Sequence, residues 1–77
     1  MNDTKRTTDK LLTAKAVGEM LSLSKRQIFR LNGSGKIPEP IRIGGAVRWS
    51  AEEILAWLAA GAPDRKAWKI RQNAGRD

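Results

Sequence analysis

Two short amphipathic segments lie almost end to end in this chain, and they constrain its fold more than any other feature. The first covers residues 13–21 and the second residues 24–31, with only Ser22 and Leu23 between them. Two short helices joined by so tight a turn predict a helix-turn-helix, whose second helix enters the major groove of DNA. The pattern therefore points to DNA recognition.

Capping signals mark where three helices begin. Thr13 stands before the first apolar run, where its side chain can accept a backbone N–H. Ser24 with Gln27, and Ser50 with Glu53, have the spacing of a capping box. We therefore predict helices that start after residues 13, 24 and 50.

Helical spacing then assigns an apolar face to each helix. The residues predicted to face the core are Ala16, Val17, Met20 and Leu21 in the first helix, Ile28 and Leu31 in the second, and Ile54, Leu55, Trp57 and Leu58 in the third. Gly33 is predicted as a left-handed cap after the second helix, and Gly61 ends the third.

The outward face of the second helix is basic. Arg26 and Arg30 are four residues apart and lie opposite the apolar face, with Lys25 and Phe29 toward its edge. Arginine suits guanine and glutamine suits adenine through paired hydrogen bonds, although Gln27 also has a capping role. We predict DNA contacts from Ser24, Lys25, Arg26, Gln27, Phe29 and Arg30.

A hairpin is predicted between the second and third helices. Ile41–Ile43 alternates apolar and basic residues, Gly44–Gly45 supplies a tight turn, and Ala46–Trp49 returns. Such a hairpin is marginal alone and must lean on the helices. Its basic residues, and one at its junction with the second helix, are predicted phosphate contacts: Lys36, Arg42 and Arg48.

The segment 62–77 is a basic tail that can form a short helix from Pro63–Asp64 to about residue 73. Ala67, Ile70 and Ala74 share one helical face, so this helix is expected to dock on the domain or on a second copy. Alternatively, the tail contacts DNA or stacks in a groove through Lys66, Trp68, Lys69 and Arg71.

Composition narrows the class of protein. The net charge is +7, and Glu39 is the single acid between Met20 and Ala51, as expected of a surface that faces phosphates. The chain has no cysteine and no histidine, so we expect no zinc site, no cofactor, no metal and no catalytic triad. It has no apolar run long enough to span a bilayer and no signal peptide, so we expect a cytoplasmic, nucleoid-associated protein that is not an enzyme.

These elements add up to a mainly α fold with a small β-hairpin, a winged helix-turn-helix. We predict a flexible N-terminal segment at residues 1–10, the DNA-binding domain at residues 11–61, and the tail at residues 62–77.

In this order and spacing the chain resembles the small regulators of the AlpA and excisionase type, which have a MerR-like winged helix-turn-helix and occur in phages and mobile elements. The residues that carry the resemblance are Leu12–Thr13, Val17, Leu21, Ser24–Leu31, Gly35–Gly44, Val47–Ser50 and Glu53–Leu58. Two positions depart from the family pattern: Phe29 stands where members commonly have tyrosine, and the uncharged hairpin tip Gly44–Ala46 stands where they often have arginines.

The resemblance implies a sequence-specific transcriptional regulator that binds double-stranded DNA. It equally permits an excisionase, or recombination directionality factor, that bends an attachment site and works with an integrase. The small contact area of one such domain favours a dimer or cooperative binding to repeated sites. A protein-interaction module that binds an acidic partner through the helix of Trp68 is a further alternative.

Overall fold

The computed structural model describes residues 10–74, which form four short helices and a small three-stranded sheet. In chain order the elements are β1 (Leu11–Leu12), α1 (Ala14–Leu21), α2 (Lys25–Gly33), β2 (Ile41–Ile43), β3 (Ala46–Ser50), α3 (Ala51–Ala59) and α4 (Arg65–Ala74). This is a mostly helical, winged helix-turn-helix architecture, as the sequence predicted. The prediction of a flexible segment concerns residues 1–10, of which 1–9 lie outside the described residues.

The sheet has one strand more than the sequence predicted. β1 pairs antiparallel with β3, Leu11 opposite Ser50 and Leu12 opposite Trp49, so β3 is the central strand in the order β1-β3-β2. The prediction of a two-stranded hairpin was therefore incomplete. The third strand supplies part of the support that a lone hairpin lacks, and it ties the chain before α1 to the strand before α3.

Side-chain caps begin the first three helices where the sequence predicted them. The oxygens of Thr13, Ser24 and Ser50 accept backbone N–H groups three residues on, at 3.1 Å in each case. Only the cap of α2 is a reciprocal capping box. At α3 the reciprocal bond from the backbone N–H of Ser50 to the side chain of Glu53 is absent, because the Glu53 carboxylate accepts hydrogen bonds from Trp68 and Gln72 on α4 instead.

The left-handed residue after α2 is Gly35, not Gly33. The helix continues through Gly33 and is capped by Ser34, and Gly35 then has a φ of 70°. The backbone N–H of Lys36 donates to the carbonyl of Leu31 at 2.9 Å, so the left-handed residue that closes the helix lies two residues later than predicted.

The core is built around all three tryptophans of the chain. Its buried residues are Ala14, Val17, Ile28, Ile37, Trp49, Ile54, Trp57 and Trp68. Each indole N–H has a partner: Trp49 donates to the carbonyl of Pro38, Trp57 to that of Pro63, and Trp68 to the carboxylate of Glu53. The tryptophans therefore hold loops in place as well as filling the core.

Three residues predicted to face the core are exposed instead. Met20, Leu55 and Leu58 keep between 37 % and 46 % of their surface accessible. Each lies beside a residue that does reach the core on the same helix, so the apolar stripe of the sequence is wider than the face that the short helices bury.

Candidate nucleic-acid interface

The turn between α1 and α2 depends on a close backbone approach. The N–H of Leu23 donates to the carbonyl of Gly18 at 2.8 Å, and Ser22 takes a left-handed conformation with a φ of 60°. A Cβ at Gly18 would overlap the carbonyl oxygen of Leu23. Gly18 therefore allows α2 to follow α1 after so short a turn, a role that sequence reasoning missed.

The outward face of α2 is basic and open, as predicted. Ile28 is fully buried, and Arg26 and Arg30 lie on the opposite side of the helix, exposed. Among residues 10–74 the one ion pair within 4 Å joins Lys69 on α4 to Glu39 in the connection between α2 and β2. The arginines of α2 thus present positive charge that no carboxylate of the described chain neutralises by direct contact.

Gln27 and Ser24 are occupied by the helix cap. The Oε1 atom of Gln27 accepts from the backbone N–H of Ser24 at 3.0 Å and from its hydroxyl at 3.2 Å. The Ser24 hydroxyl oxygen in turn accepts the N–H of Gln27. A paired contact to adenine needs both the oxygen and the nitrogen of the amide, so Gln27 would have to leave the cap to make it.

Phe29 is 44 % exposed, which fits its predicted place toward the edge of the outward face of α2. Together with Lys25 it lines one side of a groove whose other side is the hairpin end of β3. The predicted edge residues of α2 therefore face the hairpin, whereas Arg26 and Arg30 face outward.

Arg42 and Arg48 project from opposite faces of the hairpin. Opposed residues of an antiparallel pair share a face, and the register sets Arg42 opposite Val47 and Arg48 opposite Ile41. Arg48 donates to the carbonyl of Val47 at 2.9 Å and lines the groove beside α2. The two arginines, treated as one group in the sequence, are thus separated by the fold.

One comparison with known proteins decides the class. The family model described as "Helix-turn-helix domain" matches residues 11–62, more than half of the 77-residue chain. The chain is a member of this helix-turn-helix domain family. Such domains bind DNA, so it is a DNA-binding protein of the regulator class. No curated protein and no solved structure gives a significant match.

The helix-turn-helix domain contains a junction between α2 and β2 that is held by α4, a helix beyond the matched residues. Nε of Arg65 donates to the carbonyl of Ile37 at 3.1 Å, and one terminal nitrogen donates to the carbonyl and the side-chain oxygen of Asn32. The backbone N–H of Arg65 donates to the carbonyl of Gly35 at 2.9 Å. Sequence reasoning assigned Arg65 no role, because nothing local marks these long-range partners.

Lys36 and Glu39 also belong to this junction. Lys36 is exposed, as a phosphate contact requires. Glu39 accepts a hydrogen bond from Lys69, and that bond and the charge of Lys69 lower the pKa of the Glu39 carboxyl, with smaller contributions from Arg65 and Arg42. The single acid of the basic central segment is therefore paired with α4 and does not oppose α2 directly.

α4 docks on the helix-turn-helix domain through a face different from the predicted one. Ala67 is exposed and Ile70 keeps 61 % of its surface accessible, whereas Trp68 is 7 % exposed. Trp68 and Gln72 both donate to the carboxylate of Glu53 on α3. The docking face is thus formed by residues 65, 68 and 72, which have helical spacing of their own.

This burial corrects two predictions. Trp68 cannot stack in a DNA groove or anchor an acidic partner while it lies in the core. Of the other predicted tail contacts, Lys66 and Arg71 are exposed, and Lys69 is bonded to Glu39. No helix of the described residues is long and apolar enough to cross a membrane, and within that same part of the chain no group of acids forms a metal site.

Proposed function

We propose that this helix-turn-helix domain is a sequence-specific transcriptional regulator that reads double-stranded DNA with α2 in the major groove. The observation that carries the proposal is the outward face of α2. Arg26 and Arg30 extend from it opposite the buried Ile28, and no carboxylate of the described residues pairs with them. Free guanidinium groups on the second helix of such a domain are suited to the edges of guanine.

The remaining basic residues have a positioning role in this proposal. Lys25, Lys36, Arg42 and Arg48 are assigned to phosphates beside the reading helix, since contacts to the backbone fix the register without reading sequence. Phe29 is assigned to a sugar or a thymine methyl at the edge of the same face. Gln27 is assigned to the cap of α2, because its amide oxygen is already bonded.

The biological role within this proposal is regulation in a phage or mobile element, supported by the resemblance to AlpA-type regulators. One such module offers only about 600–1,000 Å² of contact with DNA, so we propose that copies bind as a dimer or as an array on repeated sites. An excisionase that bends an attachment site and assists an integrase would use the same interface. Footprinting of the DNA around its gene separates these roles: protection of a promoter supports the regulator, and protection of an attachment site contradicts it.

The direct test compares a selected duplex with a random one. Duplexes are selected from a randomised pool, and binding is measured at one fixed salt concentration. The wild type should prefer its best site over random duplex by ~10³-fold or more. If no selected duplex outcompetes random DNA, the proposal of sequence-specific reading fails.

Arg26→Ala then tests the residue that carries the proposal. If Arg26 reads a base, the variant should bind the best site about 1–3 kcal/mol more weakly, while its affinity for random duplex changes much less. The preference at one base position should flatten as well. An equal loss on both duplexes would reduce Arg26 to a phosphate contact.

A further inference from the structure

The connection between α2 and the hairpin, residues 34–40, is neither helix nor strand. It is nevertheless packed into the core, since Ile37 and Pro38 are fully buried. Elsewhere the two elements face each other across a groove lined by Phe29 of α2 and Val47 of β3. α1 packs against both elements, and the second link between them is this connection.

One residue of α4 holds the connection to the end of α2. Nε of Arg65 donates to the carbonyl of Ile37, and a terminal nitrogen donates to the carbonyl and, at 2.7 Å, to the Oδ1 atom of Asn32. The backbone N–H of Arg65 donates to the carbonyl of Gly35. Because the guanidinium is planar and rigid, these bonds fix the last turn of α2 relative to the start of the connection.

The rest of α4 reaches both ends of the hairpin. Lys69 is bonded to Glu39, which lies shortly before β2. Trp68 and Gln72 donate to Glu53 in the first turn of α3, and α3 follows β3 directly. α4 therefore contacts the end of the reading helix, the entry to the hairpin and the helix that leaves it.

We propose that Arg65 is a positioning residue for DNA recognition, which sets the placement of α2 relative to the hairpin. The inference rests on the proposed function and adds to the DNA-reading unit a helix beyond the residues that the family model matches. The guanidinium of Arg65 is bonded to protein acceptors, so Arg65 acts through α2 and the hairpin.

The physical reason is that a specific complex has a fixed spacing. Base edges and backbone phosphates must be met together, whereas a random duplex is held by charge. If the placement of α2 and the hairpin is already set in the free protein, binding does not include the cost of ordering it. Loss of Arg65 should therefore weaken specific binding more than non-specific binding.

Arg65→Lys tests this role, because it keeps the positive charge and loses the planar fork that reaches separate acceptors. The affinity for the selected duplex should fall by about 3- to 30-fold, the range usual for residues that couple two sites. The affinity for random duplex should change by less than about 2-fold, since the charge is kept. A change that only reduced the folded fraction would lower both affinities by the same factor and would overturn the proposal.

Hydroxyl-radical footprinting on the selected duplex shows where the effect lies. The positions that lose protection in Arg48→Ala mark the DNA backbone beside the hairpin. Arg65→Lys should weaken protection at those same positions, although Arg48 is unchanged in that variant. Protection equal to that of the wild type would mean that the hairpin keeps its place without Arg65, and the proposal would be wrong.

Arg71→Lys is the matched control, since it makes the same change at an exposed arginine of the same helix. It should keep the preference of the wild type, and a loss equal to that of Arg65→Lys would refute the role of Arg65. If urea denaturation shows that Arg65→Lys does not fold, Asn32→Ala takes its place, because it removes the side-chain acceptor on α2. An unchanged preference in Asn32→Ala then overturns the proposal.

The wild type separates this inference from the proposed function. If it prefers its selected duplex and Arg65→Lys retains the full preference, the role of Arg65 is refuted and the proposed function stands. If the wild type prefers no duplex over random DNA, the proposed function fails and the role of Arg65 fails with it.

Discussion

The burial of Trp68 makes α4 part of the folded core, and Trp68→Ala measures how large a part. The indole lies in the same cluster as Ile54 and Trp57, and its N–H donates to Glu53 at 2.9 Å. Truncating a buried tryptophan to alanine costs about 3–5 kcal/mol. A chain of this length has a free energy of unfolding of about 4–12 kcal/mol, so the loss takes a large share of it.

The structure offers a control on the same helix. Ile70 is 61 % exposed, although its spacing with Ala67 predicted it as a docking residue. Ile70→Ala should change the free energy of unfolding by no more than about 0.5 kcal/mol. The two variants therefore separate the observed docking face from the one that apolar periodicity predicts.

Urea denaturation followed by far-UV circular dichroism gives both free energies. The urea concentration at the midpoint of unfolding should fall sharply for Trp68→Ala and remain unchanged for Ile70→Ala. The melting temperature of Trp68→Ala should drop by about 4–8 °C for each kcal/mol of stability lost. A loss below about 1 kcal/mol for Trp68→Ala, or a larger loss for Ile70→Ala, would refute the placement of α4.

Three further changes probe the turn and the junction. Gly18→Ala should destabilise the domain by about 1–3 kcal/mol in urea denaturation, because its methyl group meets backbone; an unchanged midpoint would contradict the close approach. Arg65→Ala should cost about 1–3 kcal/mol and shift the amide NMR signals of the α2–β2 connection, and undisturbed signals there would count against the bonds. An NMR titration should find the pKa of Glu39 below its ordinary value, because Lys69 stabilises the carboxylate. The ion pair then stabilises the fold at a pH above the ordinary pKa, and this contribution is lost as the pH falls through the lowered pKa. Lys69→Ala should raise the pKa of Glu39, and an unchanged pKa would exclude the pairing.

Local signals in the sequence were sufficient for much of the fold. Thr13, Ser24 and Ser50 cap helices because a cap needs only its own side chain and the next turn of backbone. The basic outer face of α2 follows from the same short-range geometry, since Ile28 fixes which side is inward. The family match over residues 11–62 confirms the helix-turn-helix that these local signals predicted.

Long-range partners were harder to predict. The two residues of β1 form a strand only because β3 is beside them. The docking face of α4 contains Trp68 and Arg65, whose side chains have an apolar body and a polar tip. A search for helically spaced aliphatic residues therefore overlooks this face. The hairpin is different, because its register is set locally by the two-residue turn Gly44–Gly45. That Arg42 and Arg48 lie on opposite faces could therefore have been predicted from the sequence.

The bonds of Arg65 have a consequence for the order in which the interface is assembled during synthesis. The bonds between Arg65 and Asn32 close a loop of 33 residues, and translation delivers α2 and the hairpin before α4. Until α4 emerges, the junction lacks the donors that satisfy its carbonyl groups, and Glu53 lacks its indole partner. The hydrogen bonds that hold the connection between α2 and the hairpin are therefore completed only when α4 has docked.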